Sequence, residues 1–273
     1  MAGIDAFNEN RKRCVMASHI KVLDESMSAY RPQITKTGNL PNITCLLRKP
    51  EPLGTEFKCV SCSVTGILLH LEIQRGARGM ATVKYADKYK ATAATVVRLA
   101  EATMRTSNPT TNPNESLPLP PQIFLGDSWF SSIQAAAEVC RRNAHYIGIV
   151  KTGFATFPKL FLEEKMKEWP GGSHLVMESQ HPDGFQLLAI GYKYNSKKVV
   201  SFVATKGCGD TEAGIPYEAR WKDDNGNTVV RDVKRPEIVS KYFTKCNSID
   251  VHNKNRQYDL KLEKHWKSNC GHF

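Results

Sequence analysis

The segment Ile123-Phe124-Leu125-Gly126-Asp127 limits the fold more than any other part of the chain. A short apolar run of this kind reads as a buried strand, and a helix signal follows it almost at once. Ser131 or Ser132 can cap that helix, and Ile133, Ala136, Ala137 and Cys140 recur at i, i+3, i+4 and i+7. Strand and helix are therefore joined by a turn only a few residues long, with Asp127 at the strand's carboxyl end. Taken alone, an aspartate in that position is a turn or capping residue.

The rest of the chain reads as a mixture of strands and helices. Residues 55–73 form a hairpin broken at Thr65-Gly66, and residues 83–104 carry Ala93, Val96, Val97, Ala100 and Met104 at helical spacing. Residues 106–121 are dominated by Asn, Thr, Ser and Pro and read as a loop or tether. Strands are expected over residues 146–150, 187–194 and 199–204, and Asp224-Asn225-Gly226-Asn227 is a hairpin turn. Residues 237–266 read as two helical pieces broken near 245–248. In the second piece Asp250, Asn253, Lys254 and Gln257 share one face, while Tyr258, Leu262 and Trp266 share another.

Composition bounds the function. A chain of 273 residues with 41% hydrophobic residues can build a sizeable core, and a net charge of +11 favours an anionic partner such as nucleic acid. Its basic residues are scattered, however, which fits a solvated surface as well as a dedicated groove. No apolar stretch resembles a secretory signal or a membrane span, so a nuclear or cytoplasmic location is expected. Most of the eight cysteines are then expected to be thiols. Cys59-Val60-Ser61-Cys62 lacks the second ligand pair that a structural zinc site needs, and reads as two buried thiols in a strand. Asn42-Ile43-Thr44 and Asn114-Glu115-Ser116 would be glycosylation sequons only in a secreted protein.

A series of segments, in order, resembles the PiggyBac transposase domain and the host proteins derived from it. They are Asp24-Glu25-Ser26-Met27 with Tyr30-Arg31; Lys49-Pro50 and Gly54 leading to Cys59-Val60-Ser61; Gly126-Asp127-Ser128-Trp129-Phe130-Ser131-Ser132; and Ile249-Asp250-Val251-His252-Asn253 with Trp266 downstream. The resemblance implies an α/β fold: an RNase H-like mixed sheet flanked by helices, with a strand-rich insertion. Residues 1–44 are a lead-in segment, 45–146 the first part of the core, 147–235 the insertion and 236–273 the last part of the core. Relative to the family, the chain is expected to lack an N-terminal region, the closing helices and a cysteine-rich C-terminal module.

The resemblance further implies aspartates that bind Mg2+ and cut and rejoin DNA. Asp127 matches the second acid and Asp250 the third. On this alignment Val60 stands where the first acid is expected, and Asn253 where a supplementary acid is expected. Two carboxylates are few for a two-metal centre, so the expectation is a catalytically inactive remnant or a domesticated DNA-associated protein with weak, non-specific DNA contacts and weak or absent metal binding. The alternative is an active metal-dependent strand transferase. Asp127, Asp250 and Val60 should in either case converge, with Asn253 bordering the same pocket one helical turn from Asp250.

Overall fold

The computed structural model describes residues 2–29, 42–47, 52–104, 120–151, 153, 156–223 and 225–260. Most of the expected 106–121 tether lies outside these, as do Tyr30-Arg31, Lys49-Pro50, Leu262, Trp266 and the 114–116 sequon. The chain opens with α1 (Ala2–Cys14), β1 (Ile20–Ala29), β2 (Ile43–Cys45), β3 (Leu53–Cys62), β4 (Leu68–Ile73), α2 (Gly76–Met80) and α3 (Ala91–Thr103). Next come β5 (Ile123–Gly126), α4 (Ile133–Cys140), β6 (His145–Val150), α5 (Lys159–Lys165), β7 (His174–Gln180), β8 (Gln186–Lys193) and β9 (Val199–Thr205). The last elements are β10 (Ala213–Lys222), β11 (Thr228–Pro236), α6 (Glu237–Lys245), α7 (Ser248–Lys254) and a π turn (Asn255–Asp259). Among the described residues no helix is long and apolar enough to cross a membrane.

Two compact units result: Met1–Pro109 with Asn247–Phe273, and Thr110–Cys246. In the first, β1 runs antiparallel to β3 over nine residue pairs, from Lys21 opposite Cys62 to Ala29 opposite Gly54. On its other side β3 pairs with β2 at one end and β4 at the other. The β3–β4 hairpin is closed as its sequence suggests, with Gly66 at φ +68 donating its N–H to the Cys62 carbonyl at 2.9 Å. Helix α3 begins at Ala91, later than the apolar spacing suggests, because residues 81–89 are spent in turns that include Tyr85 at φ +69. The expected Ala93, Val96, Val97 and Ala100 are buried on it.

In the second unit, β5 and β6 are parallel and β6, β9, β8 and β7 follow antiparallel, giving a mixed sheet with helices against it. Ser132, of the two candidates, caps α4 by accepting from Ala135 N at 3.0 Å. The face α4 buries is Ala135, Ala136, Ala137 and Val139. Ile133 and Cys140 are half-buried instead, since they lie in the first and last turns, where the helix leaves the sheet. Strands β10 and β11 form a separate two-stranded ribbon. The helical break expected near 245–248 falls between α6 and α7.

The β1–β3 ladder is tightest at Gly54, where an added Cβ would sit 2.1 Å from the Ser28 carbonyl oxygen. That oxygen is backbone and cannot swing aside. Gly54→Ala is expected to destabilise the protein by about 1–3 kcal/mol, read as a lower urea midpoint at unchanged slope.

Candidate functional site

In the first unit the alternation of β1 sorts its residues onto two faces. Val22, Asp24 and Ser26 share one face with their cross-strand partners Ser61, Cys59 and Phe57. Helix α7 lies on this face. Its Ser248 hydroxyl is 2.6 Å from that of Ser61, Ile249 packs with Cys59 and Leu68, and Asn253 Oδ1 accepts from Ser26 Oγ at 2.6 Å. Beyond the helix, Arg256 donates to the Met27 carbonyl at 2.6 Å and Gln257 to the same oxygen at 3.3 Å. Asp24 thus belongs to the face that α7 covers, and is only 9% exposed. Its Oδ1 accepts the Glu25 backbone N–H at 2.7 Å. The Cys59 thiol opposite is held well above its usual range by burial first and then by the charge of Asp24.

Asp250 lies in the first turn of α7, exposed, where a carboxylate suits the positive end of the helix dipole. Asn253 follows one turn later. Both therefore keep the relation to each other that the helical spacing predicts.

Val60 lies elsewhere. Leu23, Glu25 and Met27 point to the opposite face of β1, and Val60, Lys58 and Glu56 are their partners on β3. Lys58 bridges Glu25 at 3.3 Å and Glu56 at 2.7 Å on this face. Glu72 of β4, the partner of Lys58, is gripped there by Arg98 of α3 through two bonds of 2.6 and 2.7 Å. Val60 is completely buried among them. Sheet alternation points Val60 to the face opposite the one that α7 covers, so position 60 does not lie on the side of the sheet where the helix carrying Asp250 packs.

In the second unit the Asp127 loop is held from both ends. Asp127 Oδ1 accepts the backbone N–H of Trp129 at 2.8 Å and of Phe130 at 3.4 Å, which folds the strand end into the helix. Ser131 Oγ donates to the Asp127 carbonyl at 2.6 Å, and the buried Tyr146 hydroxyl donates to the Phe130 carbonyl at 3.0 Å. Burial raises the Tyr146 phenol, the Ser131 hydrogen bond lowers it, and the Asp127 charge raises it further. Two glycines make room for this lock. A Cβ on Gly126 would meet Tyr146 Oη at 2.0 Å, and one on Gly148 would meet Ser131 Oγ at 1.9 Å. Phe130 is fully buried as a packing residue, and Trp129 stands edge-on to it.

The side chains with donor chemistry for a divalent cation are Asp24, Glu25 and Asp250 in the first unit and Asp127 in the second. Carboxylate oxygens are the hard ligands that magnesium and manganese prefer. In the sequence Asp24-Glu25 stands out only as part of the resemblance, and the strand assignment of β1 tells which of the two adjacent acids faces α7.

If position 60 is interior to the face of Lys58 and Leu23, Val60→Asp buries an unneeded carboxylate. We expect a loss on the order of 3–5 kcal/mol in chemical denaturation and no added metal affinity by calorimetry. A variant as stable as the parent would contradict this placement.

A family model described as Transposase IS4 matches residues 3–273. Among solved structures, a cryo-EM structure of a piggyBac transposase synaptic complex with hairpin DNA is similar, with TM-score 0.66, 16% sequence identity and 93% of this chain covered. The chain spans 43% of the length of that protein. No curated protein sequence matches. At this level of identity the structural likeness establishes the fold, and the family match over nearly the whole length establishes descent: the chain belongs to the Transposase IS4 family.

Proposed function

We propose that the chain carries the catalytic core of a metal-dependent DNA strand transferase, with Asp24 as its first acid and Asp127 and Asp250 as the second and third. The observation that carries this reading is the position of Asp24 on the α7 face of β1. With Asp24 in that role, a valine at position 60 does not imply a missing first acid. Asp24, Asp127 and Asp250 all offer carboxylate oxygens, the hard donors a divalent ion takes, so the acids named here fit such a group. The ion would neutralise charge building on a scissile phosphate and lower the pKa of an attacking water.

This chain's residues supply the rest. The Trp129 and Phe130 N–H groups bond Asp127 Oδ1 and fix the orientation of the carboxylate. Glu25 is tied to Lys58 on the other face, which suits it to balancing buried charge more than to contacting substrate. An RNase H-like arrangement of these elements is part of the proposal.

A second reading is a DNA-associated protein without chemistry. Asn253 favours it, because a neutral amide at the expected supplementary position contributes no charge toward a cation.

The test is incubation of the purified chain with supercoiled plasmid and with duplexes carrying element-type ends, in magnesium or manganese. Metal-dependent nicking is expected, reduced by about 10³-fold in Asp24→Asn and in Asp127→Asn, with melting temperatures retained. Nicking indifferent to Asp24→Asn would remove Asp24 from the site. No nicking by any preparation that still binds DNA would establish the second reading.

A further inference from the structure

One buried guanidinium of the second unit has, among the described residues, no carboxylate partner. Alternation puts Ile215, Tyr217, Val233 and Arg235 on one face of the β10–β11 ribbon, while the strands' acids, Glu218 and Asp232, are cross-strand partners on the other. Arg235 is only 4% exposed, and its Nε donates to the Tyr192 hydroxyl at 2.9 Å. An arginine buried to this extent is ordinarily paired with an acid.

Aromatic rings stand where the acid would. The guanidinium carbon lies 3.0 Å from the Tyr217 ring centroid, 5.1 Å from that of Phe243 on α6 and 5.4 Å from that of Tyr192 on β8. Phe243 in turn meets Tyr194, with centroids 5.9 Å apart, and the Lys198 ammonium is 5.8 Å from the Tyr194 ring. A bland reading is a clasp, in which Arg235 fastens the ribbon to β8 and α6 by cation–π contacts alone. That accounts for Tyr192 and Phe243. It does not account for Tyr217 and Tyr194, which stay 38% and 42% exposed beside their cations. Nor does it account for the two amino nitrogens of the Arg235 fork, which take no hydrogen bond from a described residue and are not sealed from solvent.

We propose that this cage seats one unpaired nucleotide of a DNA strand, with its phosphate on the Arg235 amino groups and its base against Tyr194. A planar fork of donors matches phosphate oxygens, and an exposed aromatic face beside a cation takes any base by stacking. A duplex offers the phosphate but keeps its bases in its own stack, so the cage distinguishes single strands from double. The choice of DNA rests on the transferase reading above, while the cage stands on its own geometry.

The experiment uses the whole chain in EDTA, so that binding is read without cleavage. Fluorescence anisotropy measures affinity for a labelled oligothymidylate and for a labelled duplex, and the parent should prefer the single strand. Tyr194→Ala should weaken single-strand binding about 10-fold and leave the duplex unaffected. Phe161→Ala, a control on an exposed ring of α5, should change neither. Arg235→Gln should lower the slope of log K against log salt on the single strand by about 0.7, the loss of one phosphate contact. That variant also removes the clasp, so if it melts early the surface change Tyr194→Ala decides the case.

Equal single-strand affinities for Tyr194→Ala and Phe161→Ala would overturn the proposal, as would equal losses on strand and duplex. Displacement of the strand by oligoglutamate at matched charge would overturn it too, because a bare anion site has no use for a base. The two readings fail separately. Single-strand binding that depends on Tyr194 in a chain that never nicks DNA leaves the seat standing, and metal-dependent nicking with Tyr194→Ala binding like Phe161→Ala removes only the seat.

Discussion

The antiparallel pairing of β1 with β3 is the constraint on which the rest of the first unit depends. Nine consecutive residue pairs fix the register, and a strand's side chains alternate, so a slip of one position would exchange the two faces completely. In the native register Asp24 and Ser26 meet α7 while Leu23 and Met27 enter the core with Val60. The buried charge on the second face is tolerated because Lys58 lies between Glu25 and Glu56 and is itself only 2% exposed. Removing Lys58 would take away the cation that both carboxylates share in low dielectric, a far larger penalty than the pair's net contribution.

The second unit solves a different problem with the same economy. A parallel pair needs its connection to pass over the sheet, and here the path from β5 to β6 is α4, entered through the Asp127 turn. The turn cannot vary much. Gly126 and Gly148, which lie side by side in the β5–β6 register, leave space that Tyr146 and Ser131 fill, and those two hold the loop by its carbonyls. The Asp127 turn is thereby fixed by the packing and hydrogen bonds of the protein itself.

Legibility in the sequence followed hydrophobic periodicity. The β3–β4 hairpin, β5, α4, β6, β8, β9 and the α6–α7 break were all visible because their buried faces are apolar. Strand β1 was not visible, and the reason is physical. Its central residues, Asp24-Glu25-Ser26, are polar and nonetheless buried, so no apolar alternation announces a strand. Local rules fail most readily at functional positions, where polar groups are kept inside at a cost. With no strand legible at β1, the sequence puts the expected position of the first acid in the next strand, at Val60. Strand β7 escaped for a milder reason: its last residues Glu178, Ser179 and Gln180 are exposed, and its first four are only half-buried.

Asn253 shows how a position can keep its structural part while losing an electrostatic one. Its Oδ1 accepts the Ser26 hydroxyl at 2.6 Å, which ties α7 to β1 two residues from Asp24. A carboxylate could accept the same bond, so packing does not distinguish aspartate from asparagine here. Charge does. An amide at 253 adds no negative charge to the face that carries Asp24, where an aspartate making the same bond to Ser26 would add one.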